Sequence, residues 1–161
     1  MAEKLGRSIS RGPVLAGDIK LFKACGALLL ANDTKRVLFL LRDDDTYSNT
    51  WGLVGGKVEN EETVMEALRR EIFEEVGHDV DIIKTIPLEL FRSDDQKFEY
   101  HTFICMIDNE FLPKLSDEHS GYAWTLVDNF PKPLHPGLWS SLNNYDIQQK
   151  LMTMKDVLEI A

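Results

Sequence analysis

Residues 56–78 have the sequence GKVENEETVMEALRREIFEEVGH, which determines the interpretation of the whole chain. Its second half places Glu71, Glu74 and Glu75 at spacings of three and four residues. Residues at those spacings share one face of an α-helix, so three carboxylates are predicted to point the same way. Carboxylates that close raise one another's pKa unless a cation lies between them. A hard divalent cation with oxygen ligands, Mg²⁺ or Mn²⁺, would meet that need.

The opposite face of the same predicted helix is apolar. Val64, Leu68, Ile72 and Val76 recur in steps of four, which is typical of a helix face packed against a core. We therefore predict one helix over Glu61–Val76 that is both a wall of the core and a shelf for metal.

A solvated acidic face is the alternative interpretation of these carboxylates. Arg70 lies four residues from both Glu66 and Glu74, a spacing that favours ion pairs on a helix surface. We expect Arg70 to have a structural role, holding the helix carboxylates in place. Spacing alone leaves metal binding and a solvated face about evenly matched.

The whole segment closely resembles the Nudix box, which tips that balance toward metal. The box has a glycine, then a glutamate, then an Arg-Glu pair, two further glutamates and a closing glycine, and every spacing agrees here. One position departs from the pattern, because His78 replaces the usual aliphatic residue. The matching residues are Gly56, Glu62, Arg70, Glu71, Ile72, Glu74, Glu75 and Gly77.

Resemblance to the Nudix family implies Mg²⁺-dependent hydrolysis of a diphosphate linkage in a nucleoside diphosphate derivative, with Mn²⁺ as a substitute metal. The expected metal ligands are Glu71, Glu74, Glu75 and the backbone carbonyl of Gly56, where no side chain blocks close approach. For Glu62 we weigh two roles equally: an outer ligand acting through water, and favourable charge at the helix N-terminus.

Other candidate site residues lie outside the helix. Glu118 precedes His119 and an aromatic strand, as in many Nudix enzymes, and is our candidate for the general base; Glu71 is the alternative base. An exposed loop acid is the competing interpretation of Glu118. For His119 we weigh a hydrogen-bond donor to phosphate against an incidental loop histidine, which is the more common case. Arg42 and Lys57 are candidate phosphate contacts. Trp51, Phe91, Phe98, Tyr100 and Trp124 are aromatic residues that either stack on a base or fill the core.

The substrate stays open between a dinucleoside polyphosphate, a nucleotide sugar and a nucleoside triphosphate. A rival of another class is a non-catalytic nucleotide-binding regulatory module with a Nudix fold. Such modules usually lose box carboxylates, and this chain keeps all of them.

Composition narrows the class further. The net charge of −9 over 161 residues argues against a protein that coats nucleic acid. No apolar run is long enough for a membrane span. Cys25 and Cys105 are predicted to be buried free thiols, and we expect a cytoplasmic setting. Dimers are frequent among similar proteins, so a homodimer is an expected assembly.

We predict a single domain over residues 1–161, of the α/β or α+β class. The resemblance implies a Nudix-like α/β/α sandwich around a mixed β-sheet. An irregular arm is expected over 1–18 and closing helices over 137–161, as Gly137–Asn143 and Asp146–Ile160. The predicted strands are Leu21–Ala31, Arg36–Arg42, a short strand from Trp51, Asp79–Phe91, Lys97–Ile107, which should be central, and Tyr122–Val127.

Overall fold

The computed structural model describes residues 21–160, with side chains as far as Asp156. The expected arm over 1–18 lies outside the described residues. Within residues 21–160 there are seven strands and three helices. The strands are β1 (Phe22–Ala31), β2 (Val37–Arg42), β3 (Trp51–Gly52), β4 (Val54–Lys57), β5 (Lys84–Arg92), β6 (Phe98–Ile107) and β7 (His119–Thr125); the helices are α1 (Val64–Val76), α2 (Pro136–Leu142) and α3 (Tyr145–Ile160).

The strands form one mixed sheet. Its order is β3-β2-β1-β6-β5, with β4 paired to β1 and β7 paired to β2. The strands β1 and β6 are parallel along their whole length, and the other pairs are antiparallel. The strand β6 therefore lies inside the sheet between β1 and β5, which confirms its predicted central position.

Helices cover both faces of this sheet. The helix α1 packs Leu68 and Ile72 against one face, together with Cys25 and Leu38 of the strands. The helices α2 and α3 cover the other face, where Leu142 and Ile147 meet Leu28, Phe39 and Ile104. The predicted α/β/α sandwich with a mixed sheet is confirmed.

The helix α1 begins at Val64 and not at the predicted Glu61. Thr63 caps it, since its side chain accepts a hydrogen bond from the amide of Glu66 while the Glu66 carboxylate accepts one from the Thr63 amide. This reciprocal pair is a capping box, and it stops the helix from extending toward Glu61, which has a φ of 68°. The predicted apolar stripe does face the core: Leu68, Ile72 and Val76 are buried and Val64 packs against them.

Gly77 ends the helix in the left-handed conformation, with φ 73° and its amide donating to the carbonyl of Phe73. A Cβ at this position would come within 2.7 Å of the Lys114 Cβ. The closing glycine of the box is thus required both by backbone conformation and by space.

Two strands differ from their predicted bounds. The strand β5 begins at Lys84 and not at Asp79, because Val80 and Ile82 pack beside α1 without joining the sheet. The strand β7 runs from His119 to Thr125 and not from Tyr122 to Val127, because it pairs with β2 as far as Arg42. Apolar alternation showed where side chains are buried, but not which backbone segments pair.

Two further expectations concern the cysteines and the membrane. Cys25 and Cys105 are both buried and free, as predicted. Among the described residues, no helix is long and apolar enough to cross a bilayer.

Candidate functional site

Two of the three box carboxylates lie against the glycines of β4, where a turn was expected but the chain is a strand paired with β1. The Glu71 carboxylate lies over Gly56, so closely that a Cβ added there would be 2.5 Å from the Glu71 Cδ. Glu75 Oε1 accepts a hydrogen bond of 2.7 Å from the amide of Gly55. The residues Gly55 and Gly56 therefore form the surface on which both side chains rest.

The expectation that all three carboxylates share one exposed face is wrong for Glu75. This residue is only 4% exposed, whereas the Glu74 side chain is 53% exposed. At about 100° per residue, Glu75 falls between Val64 and Leu68 within the apolar arc that runs from Val64 to Val76, and Glu74 falls outside that arc. A helical wheel already contains this distinction, which the spacing rule of three and four residues does not show.

Arg70 is bound by several groups around the acidic cluster. Its guanidinium makes two hydrogen bonds to Glu62, at 2.8 and 3.0 Å, and one of 2.9 Å to the carbonyl of Lys57. Its Nη1 donates to Glu71 at 2.9 Å and lies 3.3 Å from Glu74. Arg70 thereby ties the segment that precedes α1 to two of the carboxylates on the helix.

In the structure Glu62 has a role that was not weighed in the sequence, because it is the ion-pair partner of Arg70. Its carboxylate accepts hydrogen bonds from Arg70 and from the amide of Glu59, and these hold its pKa near 2. It lies one residue before Thr63, outside α1, and its oxygens are committed to the ion pair.

Burial and like charge raise the pKa values of Glu71 and Glu75. Burial is the main cause that raises the pKa of Glu75 to about 8, against the Gly55 hydrogen bond, which lowers it. Burial also raises the pKa of Glu71, and the charges of Glu74 and Glu118 add to that effect. Glu118 is exposed on its loop, and its charge acts on both Glu71 and Glu75. The structure thus brings Glu118 to the side of the box carboxylates.

The residues present fit a hard divalent cation. Within residues 21–160, no three His, Cys, Asp or Glu side chains are already gathered as a ligand set. Instead, Arg70 Nη1 lies between Glu71 and Glu74. The donors are nonetheless all oxygens, they are partly desolvated, and the floor beneath Glu71 is open only because Gly56 has no side chain. Crowded, desolvated carboxylates of this kind are stabilised by a Mg²⁺-like charge.

The two candidate phosphate contacts are engaged elsewhere in this structure. Arg42, at the end of β2, pairs with Asp44 and lies 5.7 Å from the ring centroid of Tyr47. The ammonium of Lys57 lies 4.9 Å from the ring centroid of Phe22. Neither cation makes a direct contact with the carboxylate of Glu71 or of Glu75.

The sequence favours an incidental loop position for His119 over a role as phosphate donor, and the structure gives it neither a loop position nor a free surface. His119 opens β7, and its side chain is only 7% exposed. Its Nδ1 lies 3.7 Å from Glu75 Oε2. The signal that was available is its place directly after Glu118, at the start of a strand that pairs with β2.

The aromatic residues divide into two groups. Trp51 and Trp124 pack in the two cores, and Trp124 also donates a hydrogen bond to the carbonyl of Phe111. Phe91 and Tyr100 are paired on β5 and β6, and both lie near Phe98, with ring centroids 6.2 and 6.4 Å from it. This row is continued by Phe22, which is 6.3 Å from Phe98 and next to Lys57.

A cavity of about 310 Å³ lies elsewhere, between β5 and α3. It is lined by apolar residues such as Ile86, Leu88 and Met154, and by none of the box residues. We therefore assign the candidate site to the carboxylate cluster and not to this cavity.

A family model described as the NUDIX domain matches residues 20–145. The chain is 33% identical over 112 residues to the dihydroneopterin triphosphate diphosphatase of Haemophilus influenzae, covering 60% of this chain and 69% of that protein. It is 34% identical over 108 residues to the nucleoside triphosphatase NudI of Escherichia coli, covering 60% and 76%.

Solved structures agree with this relationship. The MutT NUDIX hydrolase from Burkholderia pseudomallei superposes with a TM-score of 0.61 at 25% identity, covering 78% of this chain and 98% of that one. The E. coli dihydroneopterin triphosphate pyrophosphohydrolase superposes with a TM-score of 0.53 at 25% identity, covering 83% and 97%.

The chain belongs to the Nudix family. It is an enzyme of the Nudix pyrophosphohydrolase class, whose members act on small nucleotide substrates and generally use divalent metals.

Proposed function

We propose that this enzyme hydrolyses the triphosphate of a nucleoside, or of a similar aromatic heterocycle, in a Mg²⁺-dependent reaction that releases diphosphate. The observation that carries the proposal is the set of Glu71, Glu74 and Glu75 on α1, of which Glu71 and Glu75 lie against Gly56 and Gly55. Burial and neighbouring negative charge raise the pKa values of Glu71 and Glu75. The relatives named for triphosphate substrates favour this class over the dinucleoside polyphosphates and nucleotide sugars that the sequence also left open.

In this proposal Glu71, Glu74, Glu75 and the Gly56 carbonyl hold the metal. When bound, a divalent cation neutralises phosphate oxygens and lowers the pKa of nearby water. Arg70 keeps the segment 57–62 against α1 through its hydrogen bonds to Glu62, to Glu71 and to the Lys57 carbonyl. Mn²⁺ is expected to substitute, because it prefers the same oxygen ligands.

The water oxygen forms a new bond to the α-phosphorus of the triphosphate. The bond from that phosphorus to the oxygen that bridges the α- and β-phosphates breaks, and diphosphate leaves. The proton of the water passes to a carboxylate. Glu118 supports this assignment through its exposed position beside the cluster, and Glu71 is the alternative acceptor. Neither candidate base is Glu62, whose carboxylate is bound by Arg70; Glu71 also accepts one hydrogen bond from Arg70.

Substrate contacts follow from the surroundings of the cluster. Arg42 would meet phosphate oxygens by exchanging its carboxylate partner Asp44 for the substrate. Lys57 follows Gly56 in β4, and its ammonium lies beside the ring of Phe22. We therefore assign Lys57 to a substrate phosphate at the end of the aromatic row that is nearer to Gly56. The heterocycle would stack on that row at Phe98 or Tyr100.

The test is incubation of the purified protein with Mg²⁺ and a panel of nucleotides, followed by mass spectrometry of the products. The panel contains the common nucleoside triphosphates, dihydroneopterin triphosphate, a dinucleoside tetraphosphate and several nucleotide sugars. We expect a triphosphate to be converted to monophosphate and diphosphate. Selective cleavage of a nucleotide sugar would overturn the substrate class, and no Mg²⁺-dependent product from any member would overturn the function.

The setting of the enzyme is part of the same proposal. Two buried free thiols support a reducing, cytoplasmic environment. A homodimer is proposed because dimers are frequent among similar proteins. Light scattering of the purified protein would measure its molar mass in solution.

A further inference from the structure

One buried side-chain atom close to the cluster lacks a hydrogen bond. It is Nδ1 of His119, which stands alone in this respect among the described side chains. It lies 3.7 Å from Oε2 of Glu75, and both side chains are nearly inaccessible to solvent. Buried polar atoms are nearly always paired, so an unpaired one facing a carboxylate indicates a contact that another state of the protein completes.

An irregularity of the sheet gives His119 its direction. In the pairing of β2 with β7, Leu41 is opposite Gly121 and Arg42 is opposite His119, so Ser120 is an extra residue. Trp124 faces the α1 side of the sheet, and strict alternation would place the odd-numbered residue His119 on the other side. The bulge reverses this alternation, and the imidazole faces Glu75. Bulges re-aim side chains in this way next to active sites.

The hydrogen bonding of Glu75 is complementary to this geometry. The amide of Gly55 binds Oε1, and Oε2 is the oxygen that faces His119. A movement of less than about 1 Å would bring Nδ1 and Oε2 within hydrogen-bonding distance. The backbone of the bulge region is fixed by a hydrogen bond of 2.8 Å from the amide of Asp43 to the carbonyl of Glu118.

We infer that His119 is a positioning residue whose Nδ1–H donates to Oε2 of Glu75, so that this carboxylate is held at both oxygens, from β4 and from β7. The inference rests on the proposed role of Glu75 as a metal ligand. Groups that orient metal-binding side chains typically contribute 10- to 100-fold to metal affinity.

Two amide substitutions separate the two ring nitrogens. In His119→Asn the side-chain amide stands near the position of Nδ1, and in His119→Gln it stands near that of Nε2. Mn²⁺ binding to the substrate-free protein is measured by the electron paramagnetic resonance signal of the free ion. We expect His119→Gln and His119→Leu to weaken Mn²⁺ binding by about 10- to 100-fold. We expect His119→Asn to stay within about threefold of wild type, as does the control His101→Asn.

The outcomes are distinct. Wild-type affinity in His119→Leu, or loss in His119→Asn with retention in His119→Gln, would overturn the inference. Equal Mn²⁺ binding by wild type and Glu75→Gln would instead overturn the proposed role of Glu75. Thermal melting of each variant shows whether it is folded before its affinity is compared.

A measurement on the unaltered protein covers the case in which the variants do not fold. Long-range ¹H–¹⁵N spectra of histidine-labelled protein report which ring nitrogen carries the proton. In the Mg²⁺-loaded protein we expect His119 in the form protonated at Nδ1. A His119 ring protonated only at Nε2 would exclude the hydrogen bond to Glu75.

Discussion

The amide of Gly55 donates a hydrogen bond of 2.7 Å to Oε1 of Glu75, which joins the strand β4 directly to the helix α1. The bond crosses twenty residues of sequence and anchors a carboxylate that is almost entirely buried. It places Glu75 at the meeting point of the sheet, the box helix and the start of β7.

We expect Glu75→Gln and Glu74→Gln to reduce turnover by about 100-fold or more at saturating Mg²⁺, because each removes a charged ligand. The fold should survive, since the amide oxygen of glutamine can still accept the hydrogen bond from Gly55. Steady-state kinetics and thermal melting check both statements. The exposed Glu59→Gln is the control, and either variant that keeps more than half of the wild-type rate rules out that ligand.

We expect Leu68→Ala to lower the free energy of unfolding by about 2–5 kcal/mol, because it leaves a cavity beneath α1. Leu68 is fully buried, whereas Phe73 on the same helix is 57% exposed. Phe73→Ala is therefore the matched control and should change stability by about 0.5 kcal/mol or less. Urea unfolding of the three proteins gives the comparison, and equal stability of Leu68→Ala and wild type would contradict the packing of α1.

We expect Glu118→Gln to reduce kcat at least about 10-fold with little change in substrate affinity, as loss of a general base does. Its charge acts on Glu71 and Glu75, which supports a place for Glu118 near the carboxylate cluster. The pH–rate profile of this variant is compared with that of Glu71→Gln. If Glu118→Gln keeps the rate and the acidic limb of the wild-type profile, the base is Glu71.

We expect Gly56→Ala to reduce activity by about 100-fold, because its methyl group would occupy the space of the Glu71 carboxylate and displace it by about 1 Å. Gly121→Ala is a matched control, since a Cβ there would meet Leu41 only at 3.5 Å, an ordinary contact. Kinetics and melting temperatures of both variants are compared. Wild-type turnover in Gly56→Ala would show that Glu71 does not need its observed position.

We expect Glu99 to make stability depend on pH in the acidic range. Burial alone would raise its pKa, but hydrogen bonds from Arg92 and His101 outweigh burial and lower it below the ordinary value of 4.5. A carboxyl with a lowered pKa stabilises the fold above its unfolded pKa and loses that contribution as pH falls through the folded value. Unfolding in urea at pH 5.5, 4.5 and 3.5 should therefore show a weaker pH dependence for Glu99→Gln than for wild type. The exposed Asp108→Asn should follow wild type, and identical slopes for all three proteins would contradict the prediction.

Local sequence patterns were sufficient to identify the box helix and the central strand of the fold, although not the first residues of α1, β5 and β7. The four-residue recurrence of Leu68, Ile72 and Val76 identified the helix and its buried face, because the period of a helix is set by its own backbone. The apolar character of β6 on both sides identified a central strand for a similar reason. The resemblance to the Nudix box supplied the family, which residues 20–145 confirm.

The tertiary structure decided how the site is assembled. The burial of Glu75, the ion pair of Glu62 with Arg70 and the direction of His119 all depend on groups distant in sequence. Spacing along one helix reports neither the position of Gly55 on a facing strand nor a bulge between β2 and β7. Helix faces follow from the covalent order of the chain, whereas the environment of each carboxylate follows from strand register, which only the folded chain has.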